Sequence, residues 1–164
     1  MITVGIITVS DKGSVGERVD LSGEVIRDMM TDAGYDVKEK IILPDEVDLL
    51  KKQMITWSDE NKYHLILTTG GTGFSPRDFT PEATKAVINR EVPGIPEAMR
   101  AHSLTITKKA MLSRSAAGIR KKTLIINLPG SPKAVKENLE CILPALKHGI
   151  EIMIGSTGEC GNSK

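Results

Sequence analysis

The chain has 164 residues, 40% hydrophobic and 26% charged, with a formal net charge of +1, the size and composition of one globular domain. That balance leaves no basic excess to neutralise phosphate backbones, and 3% aromatics are too few for base-stacking platforms, so nucleic acid is excluded as a partner. Cys141 and Cys160 give neither a disulfide framework nor zinc spacing, and no apolar run approaches the length of a membrane span.

Residues 2–9 are β-branched and continuously apolar, the pattern of a strand buried on both faces. The segment begins without a basic region and lacks a cleavage site, so it reads as a first strand rather than a signal peptide, and a cytoplasmic protein is expected. Ser10-Asp-Lys-Gly13 breaks the strand. Leu21, Val25, Met29 and Ala33 then recur at helical spacing, and Gly34 ends that helix. Residues 35–43 form a second strand stopped by Pro44-Asp45, and Val47, Leu50, Met54 and Trp57 mark another amphipathic helix. Residues 64–69 form a third strand. His64 opens it, where a satisfied structural histidine is expected.

The third strand ends in Gly70-Gly-Thr-Gly73, followed by Phe74-Ser-Pro-Arg-Asp78 and Thr80-Pro-Glu82. Three glycines in four positions let the backbone approach a ligand closely, and successive free N–H groups make an anion site. Thr80 is expected as the N-cap and Pro81 as the first helical residue. Neither a P-loop nor a dinucleotide fingerprint fits. No Lys-Ser/Thr closes the loop, and the third glycine of the dinucleotide pattern is replaced by Pro76. A ligand-free tight turn is the alternative. The hydroxyls, Arg77 and Asp78 beside the loop favour a phosphate or nucleotide site.

Residues 90–118 are irregular. Pro93-Gly94 and Pro96 break the chain, and 97–107 looks helical. Residues 123–128 read as a last strand entering Pro129-Gly-Ser-Pro132, where Ser131 can cap a helix carrying Val135, Leu139, Ile142, Leu146, Ile150 and Met153. Pro144 predicts a kink or break in it. Cys141 falls in this apolar pattern as a small core residue. The expected architecture is α/β, a single domain over residues 1–157 with a mainly parallel central sheet and helices on both faces, followed by a mobile tail over 158–164.

Ser10-Asp11, Pro44-Asp45, Gly70 to Asp78 and Pro129 to Ser131 each follow a strand. In an open parallel sheet these carboxyl ends share one edge, where ligands bind. The set of expected binding residues is Ser10, Asp11, Thr69, Gly70, Gly71, Thr72, Gly73, Ser75, Glu97, Gly130 and Ser131. Several have plainer roles open to them. Asp11 could form a turn before Gly13. Asp45 suits a helix N-cap after Pro44. Arg77 could bind phosphate or be solvated, and Glu97 could simply pair with Arg100 on a helix.

With Gly5-Ile-Ile-Thr-Val-Ser-Asp11, Leu43-Pro-Asp-Glu46, the glycine loop with Arg77-Asp78 and Thr80-Pro-Glu-Ala-Thr84, Pro93-Gly94 with Glu97 and Arg100, and Asn127-Leu-Pro-Gly-Ser-Pro132, nearly the whole chain resembles the molybdopterin adenylyltransferase family, the Mog/MoaB type. The glycine loop alone also resembles domains of molybdenum insertases and CinA-type proteins, which are larger. The resemblance implies adenylylation of molybdopterin by MgATP, giving adenylyl-molybdopterin and pyrophosphate in molybdenum cofactor biosynthesis. It implies Asp45 and Asp78 as essential carboxylates and Mg2+ ligands, a homotrimer, and transient contact with a molybdenum insertase. The alternative is a non-catalytic trimeric carrier of molybdopterin or nucleotide. Met99, Leu104, Ile106, Met111 and Leu112 are candidates for the trimer interface.

Overall fold

The computed structural model describes residues 1–156. The expected tail 158–164 and the boundary at 157 lie outside the described residues. Six strands alternate with helices: β1 Thr3–Val9, α1 Asp11–Ser14, α2 Leu21–Asp32, β2 Asp36–Leu43, α3 Val47–Asp59, β3 Leu65–Thr69, α4 Thr80–Val87, β4 Arg90–Glu91, α5 Gly94–Leu104, a 3₁₀ turn Lys108–Leu112, β5 Ala117–Arg120, β6 Thr123–Leu128 and α6 Pro132–Ile154. They form one sheet in the order β2-β1-β3-β6-β5-β4. β2, β1, β3 and β6 are parallel, and β5 and β4 add an antiparallel edge. The mainly parallel α/β expectation therefore holds.

Both faces of the central strands are covered, which is why they read as continuous apolar runs. β3 and β6 are buried at every position. Alternate residues serve opposite cores. Val4, Ile6, Leu65, Leu67, Leu124 and Ile126 pack with Ile26, Met30, Leu139 and Leu146 under α2, α5 and α6. Ile7, Val9, Ile66 and Ile125 pack with Leu50, Met54, Trp57, Ala83 and Val87 under α3 and α4. Gly5 sits where a Cβ would meet the Trp57 ring at 2.5 Å, so only glycine lets α3 lie this close to β1.

Several local expectations need correction. Thr80 does not cap α4. It is the first helical residue, Phe79 is the N-cap, and no side-chain cap bond is made. The Thr80 hydroxyl is instead turned against the glycine loop, buried and without a hydrogen-bond partner among the described residues. Nor does Asp45 cap α3, whose N-cap is Glu46. α6 runs without a break through Pro144. The helix expected over 97–107 begins earlier, at Gly94, because Pro96 falls in the first turn, where a missing N–H is tolerated. Met99 is a core residue, which removes it from the interface candidates. Cys141 is partly buried against the core, and His64 is structural, accepting from Thr3 N at 3.1 Å.

Trp57 is the largest fully buried side chain. Trp57→Ala is expected to lower stability by about 3–5 kcal/mol, read as a shifted urea midpoint followed by circular dichroism.

Candidate functional site

The four parallel strands end together, with Val9 opposite Leu43, Thr8 opposite Thr69 and Thr69 opposite Leu128. The chain steps from β1 outward to β2, then returns to β3 on the other side of β1. This reversal opens a crevice at the carboxyl edge. The crevice is a cavity of about 870 Å³, within the range of small-molecule sites. Of the expected residues, it brings together Ser10, Asp11, Asp45, Thr69, Gly70, Gly71, Ser75, Asp78, Gly130 and Ser131. Thr72 and Gly73 line a second cavity of about 280 Å³ on the other side of the loop. Glu97 lines neither and lies exposed in the first turn of α5.

Hydrogen bonds lock the loops to one another. Asp11 N donates to Asp45 Oδ2 at 3.1 Å, and Asp45 N donates to Asp11 Oδ1 at 3.0 Å. Arg77 crosses the cavity rim, donating from Nε to Asp11 Oδ2 at 2.6 Å and from its terminal nitrogen to Asp45 O at 3.1 Å and Glu46 Oε1 at 2.9 Å. Arg77 is thus engaged with protein acceptors. Asp11 is an ion-pair partner, held below the usual carboxylate range by the Arg77 guanidinium and then by the Asp45 N–H.

Gly70 and Gly71 take φ of 96° and 67°, values that favour glycine. A Cβ on Gly71 would come within 2.2 Å of Thr80 Oγ1 and 3.3 Å of Asp45 Oδ1. The loop's amides are only partly free. Gly70 N donates to Leu128 O, and Gly73 N and Ser75 N both donate to Asp78 Oδ2 at 3.1 Å. Among the described residues, the N–H groups of Gly71 and Thr72 have no protein acceptor. Thr69 Oγ1 donates to Pro129 O at 2.7 Å, and Ser10 Oγ and Ser131 Oγ accept from Gly13 N and Ala134 N as helix caps.

One oxygen of each key carboxylate remains: Asp45 Oδ1 and Asp78 Oδ1 accept no hydrogen bond among the described residues. Asp45 is pushed above the usual carboxylate range, first by burial and then by the charges of Asp11 and, more weakly, Asp78; the Asp11 N–H offsets part of this. Two half-covered carboxylates with free oxygens suit a divalent cation. Among the described residues no three His, Cys, Asp or Glu side chains cluster into a cage. Two such carboxylates could hold a cation that takes its remaining ligands from outside the chain.

Sequence reasoning missed Lys12, Arg18 and Asp20 in the cavity wall. Asp20 caps α2 at Gly23 N, accepts from Thr8 Oγ1 and pairs with Lys40. Its place just before the Leu21 helix pattern was the available signal. Lys12 and Arg18 have no ion-pair partner among the described residues.

Residues 5–148 match a family model described as a probable molybdopterin binding domain. A molybdopterin adenylyltransferase of Helicobacter pylori J99 is 43% identical over 157 residues, covering 94% of this chain and 89% of that protein. The Escherichia coli K12 molybdopterin adenylyltransferase is 40% identical over 156 residues, covering 91% and 80%. The crystal structure of the molybdopterin biosynthesis enzyme MoaB from Thermus thermophilus superposes with a TM-score of 0.90 at 48% identity, covering 94% of this chain and 98% of that one.

Because the folded-state pKa of Asp45 is raised, its ionised form destabilises the fold. That penalty is full above the folded pKa and vanishes as pH falls below the unfolded value. Asp45→Asn is therefore expected to melt higher than the wild type at neutral pH, with the gap closing below a pH of about 4. Differential scanning calorimetry across pH checks both the sign and the window.

Proposed function

This chain belongs to the molybdopterin-binding domain family, and we propose that it is a molybdopterin adenylyltransferase of molybdenum cofactor biosynthesis, with ATP as the adenylyl donor. The observation that carries this is the pair Asp45 and Asp78, each with one free oxygen, facing a crevice beside an open glycine turn. Two phosphate-bearing anions must meet for the reaction, so charge and orientation make up most of the barrier.

The large cavity holds the nucleotide. Lys12 and Arg18 attract its phosphates, the N–H groups of Gly71 and Thr72 receive them, and the N-terminus of α6 at Gly130-Ser131 offers a further anion site. Asp45 and Asp78 would hold magnesium, which supplies positive charge that lets the two phosphates approach. An oxygen of the molybdopterin phosphate attacks the α-phosphorus of ATP. The new P–O–P bond forms, the bond to the β-phosphate breaks, and pyrophosphate departs. The attacking oxygen is already anionic near neutral pH, so the site needs no strong general base.

The smaller cavity suits the pterin. Its wall sets Thr72, Ser103, Ser113, Ser115 and Asn138 beside Met99 and Leu112, with Arg100, Lys109 and Glu137 adding charge, a mix that can hydrogen-bond the edge of a polar heterocycle and pack its face. Thr72 and Gly73 border it while Gly70 and Gly71 border the larger cavity. The glycine loop thus stands between both substrates. Glu97, outside both walls, has no part in this reading. A cytoplasmic location fits the need for ATP, and a molybdenum insertase is the expected recipient of the product.

We also assign a homotrimer. Leu104, Ile106, Met111 and Leu112 are each at least 45% exposed, at the end of α5, just after it and in the 3₁₀ turn that contacts it. Such a patch is usually covered by a partner, and a second copy fits the resemblance.

Incubation with molybdopterin, ATP and magnesium should yield adenylyl-molybdopterin and pyrophosphate. Asp78→Asn should cut turnover by roughly 100-fold or more and still fold, because its amide oxygen can accept from Gly73 and Ser75. Wild-type turnover in that variant would remove Asp78 from the metal role. For assembly, light scattering at micromolar concentration should give three chain masses, and a monomer mass would refute the trimer.

A further inference from the structure

Arg114 lines neither cavity, yet three backbone groups of the glycine loop depend on it. Its own N–H donates to Thr72 O at 2.9 Å. Its Nε donates to Gly73 O at 2.8 Å, and one terminal nitrogen donates to Asp78 O at 2.5 Å. The other terminal nitrogen pairs with Glu82 in the first turn of α4. Two-thirds of the side chain is covered, with 33% exposed.

The loop is therefore closed twice. From within, Asp78 Oδ2 gathers the amides of Gly73 and Ser75. From behind, the Arg114 fork holds the carbonyls at both ends of the same segment, Gly73 and Asp78. A guanidinium presents fixed donors that can bridge two carbonyls, whereas an ammonium is a single point charge. Arg114 is itself seated by neighbours. Arg100 donates to Ser113 O at 3.3 Å and Ser115 O at 3.0 Å, and Asn127 exchanges hydrogen bonds with both backbone groups of Ala116. Ser113, Ser115 and Arg100 also wall the smaller cavity.

We propose that Arg114 is a positioning residue for Asp78, setting where its free carboxylate oxygen points by holding the loop backbone from the rear. Its kinetic consequence rests on the adenylyltransferase reading, and its structural consequence does not. A side chain outside both cavities, seated by residues that wall the pterin-side one, thereby fixes a carboxylate of the nucleotide-side cavity.

The test compares Arg114→Ala, Arg114→Lys and Glu82→Gln by amide hydrogen exchange on the ligand-free protein and by steady-state kinetics. In Arg114→Ala, exchange at Gly73 and Ser75 should accelerate while the β1 and β6 amides keep wild-type rates. Its kcat should fall by about 100-fold, the scale of a small misplacement at a reacting centre, with KM for ATP and molybdopterin changing little. Arg114→Lys should share the defect. Glu82→Gln should stay near wild type, since both carbonyl bonds survive. Added guanidinium ion should restore part of the kcat of Arg114→Ala. Wild-type exchange at Gly73 and Ser75 in Arg114→Ala overturns the proposal, as does full rescue by lysine or an equal loss in Glu82→Gln. If the alanine variant does not fold, the lysine variant carries the same readouts. A wild type without turnover refutes the functional reading alone, and the exchange measurement still decides the role of Arg114.

Discussion

The reciprocal tie between Asp11 and Asp45 is the interaction on which the site depends. Each backbone N–H is held by the other residue's carboxylate, at 3.1 and 3.0 Å, and Ser10 N reaches Leu43 O at 2.8 Å just behind them. The loops after β1 and β2 are thereby made one unit at the carboxyl edge. Charge-assisted hydrogen bonds of this kind are the strong ones. They orient Asp45 so that Oδ1 faces Gly71. Arg77 extends the same unit to the loop after β3. Without these ties, three strand ends would carry independent loops, and the paired carboxylates would have no fixed spacing.

The arrangement sets stability against chemistry. Asp11 is neutralised by Arg77, while Asp45 lies half-covered beside two other acids with no cationic partner of its own among the described residues. A chain selected only for stability would place an amide there. A carboxylate with a raised pKa in a cleft is a pattern common at functional sites, and the proposed reading uses that charge. The parallel ladder and two apolar cores, from Ile6 and Leu65 on one face to Ile7 and Trp57 on the other, absorb the cost.

The fold class was legible because β1, β3 and β6 are buried on both faces and so appear as unbroken apolar runs. Ten expected site residues also meet in one cavity, since a parallel sheet brings strand ends together whatever lies between them. Where the reading failed, the cause was mostly distance along the chain. Arg114 is about 40 residues from the loop it clamps, and nothing local marks it. β4 has only the exposed pair Arg90–Glu91, and β5 is Ala117–Arg120; neither shows the alternation that announces a strand. Thr80 has the residue type of an N-cap, but packing of α4 against Gly71 turned its hydroxyl inward. The free amides expected across Gly70 to Gly73 were reduced because Leu128 O takes the Gly70 N–H and Asp78 curls back onto that of Gly73, contacts that side-chain identity alone does not disclose.

The close seat of Trp57 on Gly5 gives the molecule a built-in optical probe. It is the only tryptophan in the chain, stacked at a tilt with its ring centroid 5.6 Å from that of Tyr63. Gly5 lies early in β1 and Tyr63 just before β3, so the indole sits near the amino-terminal edge of the sheet, away from the cavity. No substrate docked among the strand ends can touch it. Its emission therefore reports on the sheet rather than on occupancy. A spectral change on adding nucleotide would signal that the strands themselves had shifted, and an unchanged spectrum with measurable binding would mark a rigid frame whose loops alone respond.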